Sequence, residues 1–166
     1  MAQSADFETL ISNALEQPIC GWDFAYLRNR VIDQPLSWQY RSLVESRLPQ
    51  AAAVLDMGTG GDNEHGLNRC LGAPINEEYQ HWCLDYARQE AEELGFIVID
   101  AKEEFPEVAF TDVGAIVYYL RMVPWQIPDF SVEKYADALR RMHERIQASG
   151  PFVTHGHRFY LELKKP

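Results

Sequence analysis

No apolar run in this chain approaches the roughly 20 residues needed to cross a bilayer. The longest candidate, residues 113–120, is strand-sized, and a soluble protein without a membrane partner is expected. Cysteine is scarce: Cys20, Cys70 and Cys83 are odd in number and lack CxxC spacing, which argues against a disulfide framework and for a reducing, cytoplasmic compartment. They read as small core hydrophobes. Basic residues are also few. Fifteen Lys plus Arg stand against 25 Asp plus Glu, and the resulting formal charge of -10 repels phosphate backbones, so nucleic acid is not an expected partner. The opening MAQSADFETL carries Asp6 and Glu8 where a signal peptide carries basic residues. There is no HExxH and no Cys/His ligand spacing. Although His155 and His157 on one strand would share a face that His65, His81 or His143 could complete, no metal is expected. No Ser-His-Asp set or carboxylate pair stands out either, so no general base is named and the catalytic residues stay unknown.

What is present is enough for a folded core. At 166 residues the chain favours one domain, and 46% hydrophobic residues is too many for disorder. Phe7, Leu10, Ile11, Ala14 and Leu15 recur at helical spacing, with Ser4 or Asp6 as cap and Pro18 beyond the end. Residues 20–34 show no clean period and read as irregular or weakly helical up to Gln34-Pro35. Ser37 then caps a second helix with Tyr40, Leu43, Val44 and Leu48 on one face, ending near Pro49. Residues 62–74 read as a connector with one helical turn at 67–71. Asn76 caps a long helix with Tyr79, Trp82, Cys83, Tyr86, Ala87, Ala91 and Leu94 inward, closed by Gly95. Segments 96–101 and 110–120, on either side of Pro106, are rich in β-branched and aromatic residues and read as strands. VPWQIPDF, residues 123–130, holds two prolines and reads as a structured loop. Ser131 opens a last helix with Tyr135, Ala138, Leu139, Met142 and Ile146 inward and Gly150-Pro151 as its stop. Residues 152–163 form the closing strand region, broken at Gly156. Helices alternating with strands imply an α/β layer arrangement.

The main chemical landmark is VLDMGTGG. Residues 51–57 are a short apolar run that stops at Gly58-Thr59-Gly60-Gly61, the form of a buried strand whose turn lets backbone N–H groups approach a ligand without a Cβ in the way. Glycines also serve ordinary turns. A dinucleotide site needs a helix directly after the glycines and an acidic residue on the next strand. Residues 62–74 make no convincing helix, and Glu77 and Glu78 fall in the first turn of the Asn76 helix. Asp100 or Glu103 can take the ribose role only if that long helix is the crossover.

In QPLSWQYRSLVESRLP, VLDMGTGG, LNRCLGAP, FTDVGAIVYYLRMVPWQIPDFS and HRFYLELKKP, together 64 of the 166 residues, the sequence resembles class I S-adenosylmethionine-dependent methyltransferases, specifically a bacterial group with a distinctive C-terminal half. The PWQIPDFS run is far more specific than any glycine motif. The resemblance implies S-adenosylmethionine as cofactor, its methionine and ribose parts held at Asp56, Gly58, Thr59, Gly60 and Gly61, and a small molecule or peptide as methyl acceptor. Aromatic faces such as Trp22, Tyr26, Trp38, Tyr40 or Trp125 can attract a sulfonium, though packing of helix faces and loops is the commoner role.

The match breaks after Gly61. Members continue GTGGG and an acidic residue, whereas here Asp62, Asn63 and Glu64 lead at once towards LNRCLGAP. The missing block would carry the ribose-binding carboxylate, the adenine-contacting strand and the strand near the reacting methyl. Chain length agrees, since seven strands with crossovers need more residues than this. The expectation is therefore a methyltransferase with an internal deletion. Its α/β fold would be a reduced Rossmann-type sheet with flanking helices and its central strands missing. As a single domain, 1–166, it would comprise N-terminal helices (1–50), first strand and glycine turn (51–61), a connector at the deletion (62–74), and C-terminal helices and strands (75–166). Two rivals stand beside it: a noncatalytic module whose open strand edges form a homodimer, and a small dinucleotide-binding βαβ unit using Asp100.

Overall fold

The computed structural model describes residues 6–21, 23–50, 66–75 and 82–166. The expected strand at 51–57, the glycine turn with Asp56, Gly58, Thr59, Gly60 and Gly61, the Asn76 cap and Trp22 lie outside the described residues.

The chain forms α1 (Phe7–Glu16), β1 (Val31–Asp33), α2 (Tyr40–Arg47), α3 (Gly66–Leu71), α4 (Leu84–Glu93), β2 (Ile97–Glu104), β3 (Glu107–Phe110), α5 (Val113–Met122), α6 (Ala136–Ser149), β4 (Phe152–His155) and β5 (Arg158–Lys164). Short 3-10 turns precede β1 and follow α2. This is a mixed helix-and-strand fold. Its ladders, among the described residues, are antiparallel: a three-stranded sheet ordered β1-β3-β4 and a two-stranded ribbon of β2 and β5.

The largest departure from the sequence reading is residues 110–120, expected as a strand. Only Phe110 is strand; Val113–Met122 is α5. Eight of its ten residues are buried, so the pattern shows neither a period of two nor one polar face, and a short apolar run of this kind does not distinguish strand from buried helix. Asp112 decides the matter. Its carboxylate accepts from Ala115 N–H at 2.9 Å, capping the helix, and it also receives Arg30 through Nε (2.9 Å) and Nη2. Arg30 lies over the Tyr26 ring at 4.1 Å. Gly114 permits this approach, because a Cβ there would stand 2.6 Å from Leu10 O and 2.8 Å from Arg30 Nη2.

Around α5 the core closes from all sides. Phe7, Ile11 and Ala14 of α1, Leu67 and Leu71 of α3, Phe110 and Phe152 of the sheet, and Ala138, Leu139, Met142 and Ile146 of α6 belong to one buried cluster. The expected inward residues of α6 are all buried, as are Phe7, Ile11 and Ala14 of α1, but Leu10 is half-buried, Leu15 is 44% exposed, and α6 begins at Ala136 rather than at Ser131. The 123–130 loop turns as expected, with Gln126 and Ile127 buried. Gln126 Nε2 donates to Asn68 Oδ1 (2.8 Å), while Asn68 Nδ2 donates to Gln126 O and Pro74 O, which satisfies two buried amides.

Other corrections are local. Residues 31–33 form a strand where an irregular segment was expected, because their edge groups pair with β3. The helix expected from Asn76 begins, as described, at Leu84 with Cys83 as its cap residue, which leaves Trp82 outside; Leu94 is 75% exposed rather than inward. Ser37 does not cap α2. Its N–H and hydroxyl both go to Glu104 instead. The break at Gly156 is larger than a kink, since it passes the chain from the three-stranded sheet to the ribbon.

Asp112→Ala should cost about 3 kcal/mol, by losing the cap and leaving Arg30 half-buried without its carboxylate. Asp112→Asn, which keeps an acceptor for Ala115, should cost clearly less. Urea unfolding of the two variants checks this, and equal losses would contradict the cap.

Candidate functional site

The ribbon carries a connected set of polar and aromatic side chains. Because strands alternate their faces, Asp100, Lys102 and Glu104 lie with Glu162, Tyr160 and Arg158 on one side, while Ala101 and Glu103 lie with Leu161 and Phe159 on the other.

The first face meets α2 and the residues before it. Trp38 and Tyr40 set their rings 6.0 and 6.5 Å from Tyr160. Arg47, near the end of α2, grips Glu162 with Nε at 2.8 Å and Nη2 at 3.2 Å. Tyr160 donates its hydroxyl to the same carboxylate at 2.9 Å, and Lys102, paired with Asp100, stands 5.9 Å above the Tyr160 ring. Two carboxyls respond. The Arg47 hydrogen bond holds Glu162 below the usual carboxylate range against a smaller opposing effect of burial, and the Lys102 hydrogen bond lowers Asp100 in the same way. The Tyr160 phenol is pushed up to about 12, first by burial and then by the hydrogen bond to Glu162 and its charge.

On the second face, His157 Nε2 lies 2.7 Å from Glu103 Oε1, and its ring stacks on Phe105 at 4.8 Å and 7°. The first amide of α4, Leu84 N–H, points to the same Glu103 oxygen at 3.4 Å. Trp82 packs against Tyr86 and Phe159, which closes this side with α4. The Phe105-Pro106 and Gly156-His157 links from the core to the ribbon are tied together here, because Gly156 N–H donates to Pro106 O at 2.8 Å.

Asp100 and Glu103 occupy one strand but opposite faces, each already engaged by a cation or an imidazole. Trp38 and Tyr40 come together; Tyr26 lies in the core layer beside Tyr118. His155 ends β4 opposite Glu107 and His157 lies beyond the break, so the two rings do not share one strand face as the sequence suggested. His143 sits on α6 against Phe7, and no group of three metal-ligating side chains occurs among the described residues. The Tyr160–Glu162–Arg47 and Glu103–His157–Phe105 groupings were not expected, since both depend on contacts between segments far apart in sequence. Comparisons with protein-family models, curated proteins and solved structures find no match.

A raised phenol stabilises the fold below its unfolded value near 10. That contribution should disappear as pH rises through about 12. Tyrosinate absorbance of the wild type minus Tyr160→Phe should show one late transition. Glu162→Gln should move it to lower pH, because a neutral amide no longer opposes ionisation. An unmoved transition would exclude the carboxylate as a cause.

Proposed function

We propose that this chain is a reduced S-adenosylmethionine-dependent methyltransferase. It keeps the glycine turn and the C-terminal half, lacks most of the cofactor pocket, and acts on a small-molecule or peptide acceptor. The observation that carries this reading is the attachment of α2. This helix leads directly into residues 51–61, and Arg47–Glu162 and Ser37–Glu104 fix it against one face of the ribbon while α4 covers the other. Helices on both faces of a sheet are compatible with an α/β layer arrangement, although a Rossmann-type sheet is mostly parallel and this ribbon is antiparallel. Cofactor contact is assigned to Asp56, Gly58, Thr59, Gly60 and Gly61. Methyl transfer is an in-line displacement that relies on alignment, and without ribose and adenine walls the cofactor is held weakly and turnover is slow. The free state of Cys20, Cys70 and Cys83 supports a cytoplasmic location.

A second reading, a noncatalytic module that pairs with itself, is favoured by one observation. Both outer edges of the ribbon are unpaired among the described residues. The dinucleotide reading through Asp100 loses ground, because that carboxylate is held by Lys102.

Titration of the intact protein with S-adenosylhomocysteine, followed by amide NMR, tests the first reading. Saturable shifts confined to 56–61, with weak affinity, are expected. No shift in that segment at millimolar ligand would end the methyltransferase assignment.

A further inference from the structure

We propose that β5 is a self-complementary edge which joins two copies of this chain into a continuous four-stranded antiparallel sheet, β2-β5-β5-β2. The proposal rests on the self-pairing reading above and names its edge, register and partner. Two-stranded ribbons are marginal in water, and none of the buried core cluster comes from α2, α4, β2 or β5. Ala91 is the one buried apolar side chain these elements supply among the described residues. Among the described residues no further strand joins this ribbon.

The two edges differ in fitness for that role. β2 is interrupted by a register shift between Val98 and Asp100 and carries Asp100, Lys102, Glu103 and Glu104, features that blunt an edge. By contrast, β5 is a proline-free, seven-residue strand without a register shift from Arg158 to Lys164. Its sequence, RFYLELK, sets Phe159, Leu161 and Leu163 on one face, and its apolar and terminal cationic positions are symmetric about Leu161. Antiparallel pairing through a two-fold axis at Leu161 sets Phe159 opposite Leu163 of the second copy, Leu161 opposite its own equivalent, and Tyr160 opposite Glu162. The apolar row Phe159, Leu161 and Leu163 then runs unbroken across both copies, with Leu163 starting from 39% exposure. In a chain of net charge -10 this strand has two cations, Arg158 and Lys164, against one anion, so two acidic molecules meet here without adding an excess of negative charge. The same register places Arg158 opposite Lys164 at both ends, a like-charge pair that limits affinity.

That residual repulsion supplies the test. Light scattering and sedimentation of the full chain at micromolar concentration should show a dimer without cofactor. Lys164→Glu should tighten it about fivefold by turning both terminal contacts attractive. Arg158→Glu should do the same, and the double variant should return towards wild type. Leu163→Lys should leave a folded monomer, with circular dichroism as the check on folding. A wild-type monomer would overturn both the proposal and the self-pairing reading. A dimer indifferent to these substitutions would keep the reading and overturn β5 as its surface.

Discussion

The described core depends on a single carboxylate. Asp112 stops β3 from running on into a segment whose residues would accept a strand, starts α5 instead, and binds that start to Arg30 across 82 positions of sequence. Once α5 is a helix, its apolar residues project in every direction and each surrounding element has a surface to bury. The core is therefore an organisation of α1, α3, α6 and the three-stranded sheet around one nearly enclosed helix.

The ribbon obeys different physics. It is held by ion pairs, hydrogen bonds and half-buried rings, Arg47–Glu162, Ser37–Glu104, Glu103–His157 and Trp38–Tyr160, rather than by a sealed apolar interior. Partly exposed ion pairs contribute little each. Their value lies in fixing orientation: they set α2, and with it the entry to residues 51–61, against β5. Functional readings converge on the ribbon for this reason. It holds the helix that runs in sequence towards residue 51 and, among the described residues, has unpaired edges, whereas the core presents mainly packing.

The sequence was most legible where a single element decides its own form. α1 and α6 announce themselves by spacing, and Gly95 and Gly150 sit at positive φ where helix stops were expected, while Ser131 lies five residues before the start of α6. It was least legible where partners are distant. Ser37 looks like a helix cap until Glu104 is beside it; residues 110–120 look like a strand until α1 and α6 surround them. Likewise, His157 has no meaning in sequence without Glu103 and Phe105. The candidate cofactor residues carried a resemblance rather than a geometry, and they lie outside the described residues.

Stability is concentrated around α5, and the ribbon is a lightly held layer. Native-state hydrogen exchange on dilute protein, as a function of denaturant, tests it directly. Amides of α5 should exchange only through global unfolding, and those joining β2 to β5 through a smaller, separate opening. Ribbon amides as slow as those of α5, with the same denaturant dependence, would contradict the account.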